Sequence, residues 1–208
     1  MQDKLDFKKQ YKDLYIPKAA PSLIEVPPIL YLMADGNGAP EGESYQEALE
    51  LLYSISYTIK MSKMSGNQPE GYIEYVVPPL EGLWDCAAEG FDPNREQWTW
   101  TSLIRQPDFV TQDVFLWACE ELRKKKPELN LERVRLKTYH EGLCVQIMHI
   151  GPYCEEQTSI DKLADFIREN GLQDACGSQR RHHEIYLSDP RRTAPEKLKT
   201  VLRHPVIR

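Results

Sequence analysis

An alternating, β-favouring run of side chains marks residues 182–188 as a strand. Glu184, Tyr186 and Ser188 share one face, and His183, Ile185 and Leu187 share the other. Residues 29–34 read as an earlier strand, closed by a turn at Gly36-Asn37-Gly38. A capping box is expected at Ser44-Tyr45-Gln46-Glu47, and Ala48, Leu49, Leu52, Ser56 and Ile59 then recur at helical spacing. Residues 72–77 and 81–86 look extended on either side of Pro78-Pro79. Residues 97–105 form a further strand with Trp98 and Trp100 on one face, and residues 111–126 form a second helix. The order then returns: a strand over 142–150, a turn at Gly151-Pro152, and a helix with Ile160, Leu163, Ala164 and Ile167 on one stripe. That helix is stopped by Gly171 and followed by strands over 182–188 and 198–204.

A strand, helix, strand, strand unit therefore occurs twice, although the two copies share too few letters to count as a repeat by identity. The expected fold is α+β: two fused strand-helix-strand-strand modules forming one antiparallel sheet, with helices on one side. A ligand cleft is expected at their pseudo-two-fold junction. Residues 1–26, broken by Pro17 and Pro21, are expected as an N-terminal arm whose Phe7, Tyr11 and Tyr15 dock on the body. Residues 27–208 form the domain, with modules at about 27–128 and 129–208.

Composition narrows the class. The 208 residues are 41% apolar and 28% charged, with a net charge of −6, as in a soluble globular protein. No run approaches the roughly 20 apolar residues of a membrane span, and the first residues lack a secretory apolar stretch, so a cytoplasmic protein is expected. Basic residues are spread along the chain, which argues against direct nucleic-acid binding. Lys124-Lys125-Lys126 reads as the cationic end of a helix. The five cysteines are odd in number and form no C-x-x-C pair, so reduced thiols are expected.

Metal and cofactor chemistry find little support. His182 and His183 point to opposite faces of their strand, and His140, His149 and His204 lie on separate segments without an i, i+4 partner. In Gly36-Asn37-Gly38-Ala39-Pro40, Glu41 stands where a dinucleotide loop needs its third glycine. No G-x-S-x-G elbow is present, and nothing near Cys154 marks it as a nucleophile. What remains is aromatic and acidic. Trp84, Trp98, Trp100, Tyr75, Tyr153 and Tyr186 lie in or beside strands, where rings could line a slot for a planar or cationic ligand. Taken singly, each tryptophan is more simply a core residue. Of the strand acids Glu184, Glu81 and Glu74, Glu184 has the most apolar neighbours, and His149 joins the candidates for the lining.

Four segments together carry a family likeness: Pro78-Pro79-Leu80-Glu81-Gly82-Leu83-Trp84; Trp98-Thr99-Trp100-Thr101 through Asp108; Glu141-Gly142-Leu143-Cys144-Val145-Gln146 through Tyr153; and His182 to Pro190 with Arg191-Arg192. The chain resembles the GyrI-like small-molecule-binding family, in particular its stand-alone bacterial branch. The resemblance implies two fused modules with a cleft at their junction. It also implies a buried glutamate, matching Glu184, of the kind that faces aromatic cations in multidrug-sensing regulators. For stand-alone members it implies hydrolysis of the strained cyclopropane of DNA-alkylating natural products, a detoxification. Relatives often carry a second tryptophan where Asp85 stands here, which bears on ligand preference.

The expected function is thus a hydrolase in which Trp84, Trp98, Trp100 and Tyr153 sandwich a planar ligand. Glu184, its pKa raised by desolvation, would be the general base, and Tyr186 or Tyr75 would donate a hydrogen bond to the substrate carbonyl. Glu81 and His149 are further ligand-binding candidates. Two alternatives remain open: a non-catalytic module that binds or sequesters drugs, and an inhibitor that binds DNA gyrase. No cofactor, metal or membrane is expected, and a homodimer is left open.

Overall fold

A computed structural model describes residues 4–64, 66–85, 94–177 and 180–208. The chain opens with two short helical turns, α1 (Phe7–Gln10) and α2 (Lys12–Tyr15). Then come β1 (Ser22–Val26), β2 (Ile29–Asn37), α3 (Glu43–Met61), β3 (Leu80–Trp84), β4 (Thr99–Arg105), α4 (Gln112–Lys125) and β5 (Val134–Tyr139). The second half supplies β6 (Gly142–Ile150), α5 (Gln157–Glu169), β7 (Gln173–Asp174), β8 (His182–Tyr186) and β9 (Lys199–Ile207).

The main sheet runs β1-β6-β9-β8-β3-β4-β2-β5, every pairing antiparallel, and β7 pairs with the end of β9. The order reads the same from either edge towards the middle. The unit β2-α3-β3-β4 contributes β2-β4-β3, and the unit β6-α5-β8-β9 contributes β6-β9-β8. They meet where β3 pairs with β8, Gly82 opposite Glu184 and Trp84 opposite His182. The two outer strands were not evident in the sequence. β1 lies within the proline-punctuated arm and extends the second unit's edge, while β5 extends the first.

Helix α3 buries Ala48, Leu51, Leu52, Ile55 and Ile59 against Leu32, Trp100 and Ile104 of the sheet and against α4. Its start differs from the expected capping box. Gly42 is the N-cap, no side chain caps the first turn, and the helix begins one residue before Ser44. Thr111 does cap α4, its hydroxyl accepting from the Val114 amide. Helix α5 lays Leu163 and Ile167 on Val145, Ile147 and Leu202, while Ala164 is exposed. Gly171, at φ +65°, ends this segment in the left-handed region that favours glycine.

The three long helices share one face of the sheet. The arm covers the other face, burying Phe7, Leu14 and Tyr15 against Tyr31, Met33, Leu83, Leu103, Ile185 and Val201. Cys119 and Cys144 are buried thiols and Cys154 an exposed one. Cys176, in contrast to the reduced state expected for it, is disulfide-bonded. Among the described residues no helix is long and apolar enough to cross a membrane.

Candidate functional site

Alternation at the junction of the two units decides which side chains meet. In β8, His182, Glu184 and Tyr186 face the helices, and in the paired β3, Leu80, Gly82 and Trp84 do so. The helices leave a cleft of about 1300 Å³ above these strands. Tyr45, Leu49 and Tyr53 of α3 wall one side, Tyr153, Glu156 and Ile160 the other, Glu184, Tyr186 and Trp84 form the floor, and Trp98 closes one end.

The aromatic wall is interlocked. Tyr45 stacks on Trp84 with centroids 5.8 Å apart and meets Trp100 edge-on at 4.9 Å, Trp84 meets Trp98 edge-on at 5.7 Å, and Tyr153 meets Tyr186 edge-on at 5.9 Å. Two glycines permit this packing. A Cβ on Gly36 would sit 2.2 Å from the Trp100 ring, and one on Gly82 would sit 2.8 Å from Trp84 Nε1 and 3.0 Å from the Tyr186 hydroxyl. Trp84 Nε1–H donates to that hydroxyl at 3.0 Å, which leaves the phenolic proton to donate to Glu184. Burial, and next the charge of Glu184, push the Tyr186 pKa well above that of an ordinary phenol, so it keeps the proton.

Glu184 is 13% exposed, and His182 Nε2–H donates to its Oε1 at 3.1 Å. Burial lowers the His182 pKa, so it approaches the carboxylate as a neutral donor rather than a counter-charge. Among the described residues no lysine or arginine lies in ion-pair range of Glu184. A second acid, missed in the sequence, shares the cleft. Glu156, 8% exposed, immediately precedes α5, and its Oε1 is buried without a hydrogen-bond partner among the described residues. Burial, and then repulsion from Glu184, push its pKa up to about 9, against the opposing hydrogen bond of the Thr200 side chain. The carboxyl that the cleft holds protonated at neutral pH is therefore Glu156.

Four of the sequence candidates lie away from the cleft lining. Glu81 points to the arm side of β3, accepting from Tyr15 at 3.2 Å, Tyr31 at 3.0 Å and His183 at 3.0 Å. Tyr75 is fully buried beneath Tyr72 and Phe109, its hydroxyl directed at the Ser56 carbonyl 3.4 Å away. Trp100 buttresses Tyr45 from behind, with Nε1–H donating to the Gly38 carbonyl at 3.2 Å. His149 lies between Ser159 Oγ at 3.0 Å and the Pro152 carbonyl at 3.3 Å, tying down the turn that carries Tyr153 and Glu156. Asp85 also faces away from the cleft, paired with Arg181 at 2.5 Å and bonded to Thr99, so its carboxylate does not reshape the lining. The structure brings together Trp84, Trp98, Tyr153, Glu184 and Tyr186, and adds Tyr45 and Glu156.

Comparison with known proteins agrees with this architecture. A Listeria innocua protein described as a hydrolase is 50% identical, with a TM-score of 0.91 over 98% of this chain and 100% of that one. An uncharacterized conserved protein from Listeria innocua is 52% identical, with a TM-score of 0.95 over 98% and 100%. The C-terminal domain of EcmrR shares the fold at 13% identity, with a TM-score of 0.55 over 90% of this chain and 97% of that one. No curated protein matches the sequence. The GyrI-like small molecule binding domain matches residues 19–207, nearly the whole length, and the chain belongs to that family.

Proposed function

We propose that the protein hydrolyses cyclopropane-bearing, planar aromatic compounds of the DNA-alkylating kind, and so detoxifies them. The observation that carries this reading is Glu184: a carboxylate on the floor of an aromatic cleft, held by a neutral histidine and paired with no lysine or arginine among the described residues. Trp84, Trp98, Tyr45 and Tyr153 provide faces and edges for a flat ring system and keep bulk water off it. Held by His182 and by the Tyr186 hydroxyl, Glu184 takes a proton from a water aimed at the strained ring carbon. The Tyr186 hydroxyl, turning from Glu184 when the ligand binds, donates to the carbonyl that gains charge as the ring opens. Ring strain supplies most of the driving force, so these few groups suffice. The 50% identical Listeria protein described as a hydrolase supports the reaction class.

The test is a Glu184→Gln variant incubated with an aryl-fused spirocyclopropyl cyclohexadienone, the ring-opened alcohol being followed by mass spectrometry. Turnover should fall by a factor of about 10²–10⁴, the usual contribution of a general base. Binding of the planar ligand, read from tryptophan quenching, should persist. A variant that hydrolyses the compound at the wild-type rate removes Glu184 as the base.

The same cleft favours a second reading. Aromatic walls around an acidic floor also suit an aromatic cation held by ring faces and carboxylate, without chemistry. In that case a cationic dye quenches tryptophan fluorescence and the cyclopropanoid is recovered unchanged.

A further inference from the structure

Two acids share the cleft, yet the hydrolytic reading employs one. Glu156 reaches the cavity from the turn before α5, while Glu184 reaches it from β8 on the floor. The environment treats them differently. Glu184 has a donor in His182, whereas Glu156 Oε1 is buried with no hydrogen-bond partner among the described residues, an arrangement that costs free energy and that a ligand can relieve. The groups around the pair are mostly phenols: Tyr186 and neutral His182 from β8, Tyr45 and Tyr53 from α3, and Tyr153 beside Glu156, with the Thr200 side chain approaching from β9. The other charged residues of the lining are Lys8, Glu50, Arg95, Asp189 and Arg191, and Arg191 is paired with Asp189 at 2.9 Å. Two carboxyl groups in one apolar space cannot both ionise cheaply, and the better buried one keeps the proton.

Building on the hydrolase reading above, we propose that Glu156 is the general acid of the cleft, acting with Glu184 as base on opposite ends of a cyclopropane-fused dienone. Water attacks the less hindered ring carbon and a C–O bond forms as the cyclopropane C–C bond breaks. The electron pair of that bond passes through the conjugated ring to the carbonyl oxygen. Glu156 delivers its proton there, so the product leaves as a neutral phenol, while Glu184 takes the proton lost by the attacking water. Substrate and one water become one ring-opened alcohol, and one proton has moved from Glu156 to Glu184. Its return resets the pair with no outside donor. A neutral dienone that becomes aromatic on protonation is the substrate class this arrangement fits. The hydrogen bond from Tyr186 then orients the carbonyl, and the acid discharges it.

The test compares Glu156→Gln, Glu156→Asp and Glu184→Gln with the wild type on the spirocyclopropyl dienone between pH 5 and pH 10. In the wild type, kcat should fall on an alkaline limb near pH 9, where Glu156 gives up its proton. Glu156→Gln should lose kcat about a hundredfold and lose that limb, with KM and tryptophan quenching by the planar ligand unchanged within about threefold. Glu156→Asp should recover part of kcat together with an alkaline limb, which a packing role would not restore. If Glu156→Gln retains the wild-type kcat and limb while Glu184→Gln is inactive, the acid assignment is overturned and the hydrolase reading stands. A wild-type protein that leaves the dienone unopened overturns both.

Discussion

The two faces of the central sheet handle buried acid in opposite ways. On the arm side, Glu141 and Glu81 meet His183, whose ring nitrogens lie 3.0 Å from each, and Arg203 donates to Glu141 at 2.8 Å. Arg203 also donates to the Leu14 carbonyl at 3.0 Å, so the network fastens the arm. Burial opposes charge on His183, but Glu141 and Glu81 outweigh it and raise its pKa to about 9. Burial likewise opposes charge on Glu141, and His183 and Arg203 bring it down to about 2. On the helix side, no such cation pairs with Glu184 or Glu156 among the described residues. Neighbours in one strand, His183 and Glu184, thus enter a closed circuit and an open one. A matched buried ion network speaks for structure, and an unmatched pair facing a cleft speaks for a ligand.

The most forceful way to break the comparison is to open the closed circuit. Arg203→Met leaves Glu141 buried against His183 alone and should cost about 3–5 kcal/mol, the usual penalty for removing one member of a buried ion group. The check is chemical denaturation. A loss below about 1 kcal/mol would mean that the arm-side network carries no strain on exposure and the contrast is empty. The network also sets a pH window. His183, with its pKa raised, contributes in full below about 6.5 and loses that contribution as pH climbs through about 9. Glu141, with its pKa lowered, contributes in full above about 4.5 and loses it as pH falls towards about 2.

Much of this contrast was legible, unevenly. The division of β8 into a Glu184–Tyr186 face and a His183–Ile185 face follows from the period of two, which tertiary context cannot alter within a regular strand. The same rule separates Glu81 from Trp84 in β3, three residues apart, so one cleft could not have held both. Glu156 was readable too. It continues the stripe of Ile160, Leu163 and Ile167 one turn upstream, a polar residue where an apolar one is expected, though Glu155 beside it disguises the site as a solvated helix start. Tyr75 and Trp100 were misleading because burial of a ring does not show which side of it is empty. The outer strands β1 and β5 depend on pairing with distant partners, information that a local pattern does not contain.

A smaller effect sharpens the open side. Glu156 has a pKa raised above its unfolded 4.5, so the native state holds a proton the unfolded chain releases. Its burial is least costly below about pH 4.5, and stability erodes as pH rises towards about 9. Glu156→Gln removes that erosion. The variant should gain about 1–3 kcal/mol relative to the wild type between pH 4.5 and pH 9, or roughly 2–12 °C in Tm. The measurement is Tm against pH for both proteins. Parallel curves would show that Glu156 is not held as a buried neutral acid.

The mildest perturbation removes one strand of the closed circuit and leaves the rest. Tyr15→Phe deletes a hydrogen bond of 3.2 Å to Glu81 while Tyr31 and His183 keep theirs at 3.0 Å. The carboxylate therefore stays solvated by protein, and the loss should be about 1 kcal/mol, or roughly 2–4 °C in Tm, with planar-ligand binding unchanged. The arm would still be fastened by Arg203 to the Leu14 carbonyl and by Gln146 to the Asp13 carbonyl at 2.7 Å. A fall beyond about 8 °C would mean that the phenol, rather than the backbone anchors, holds the arm. A change in ligand affinity would mean that the two faces communicate through the sheet, because Tyr15 touches nothing in the cleft.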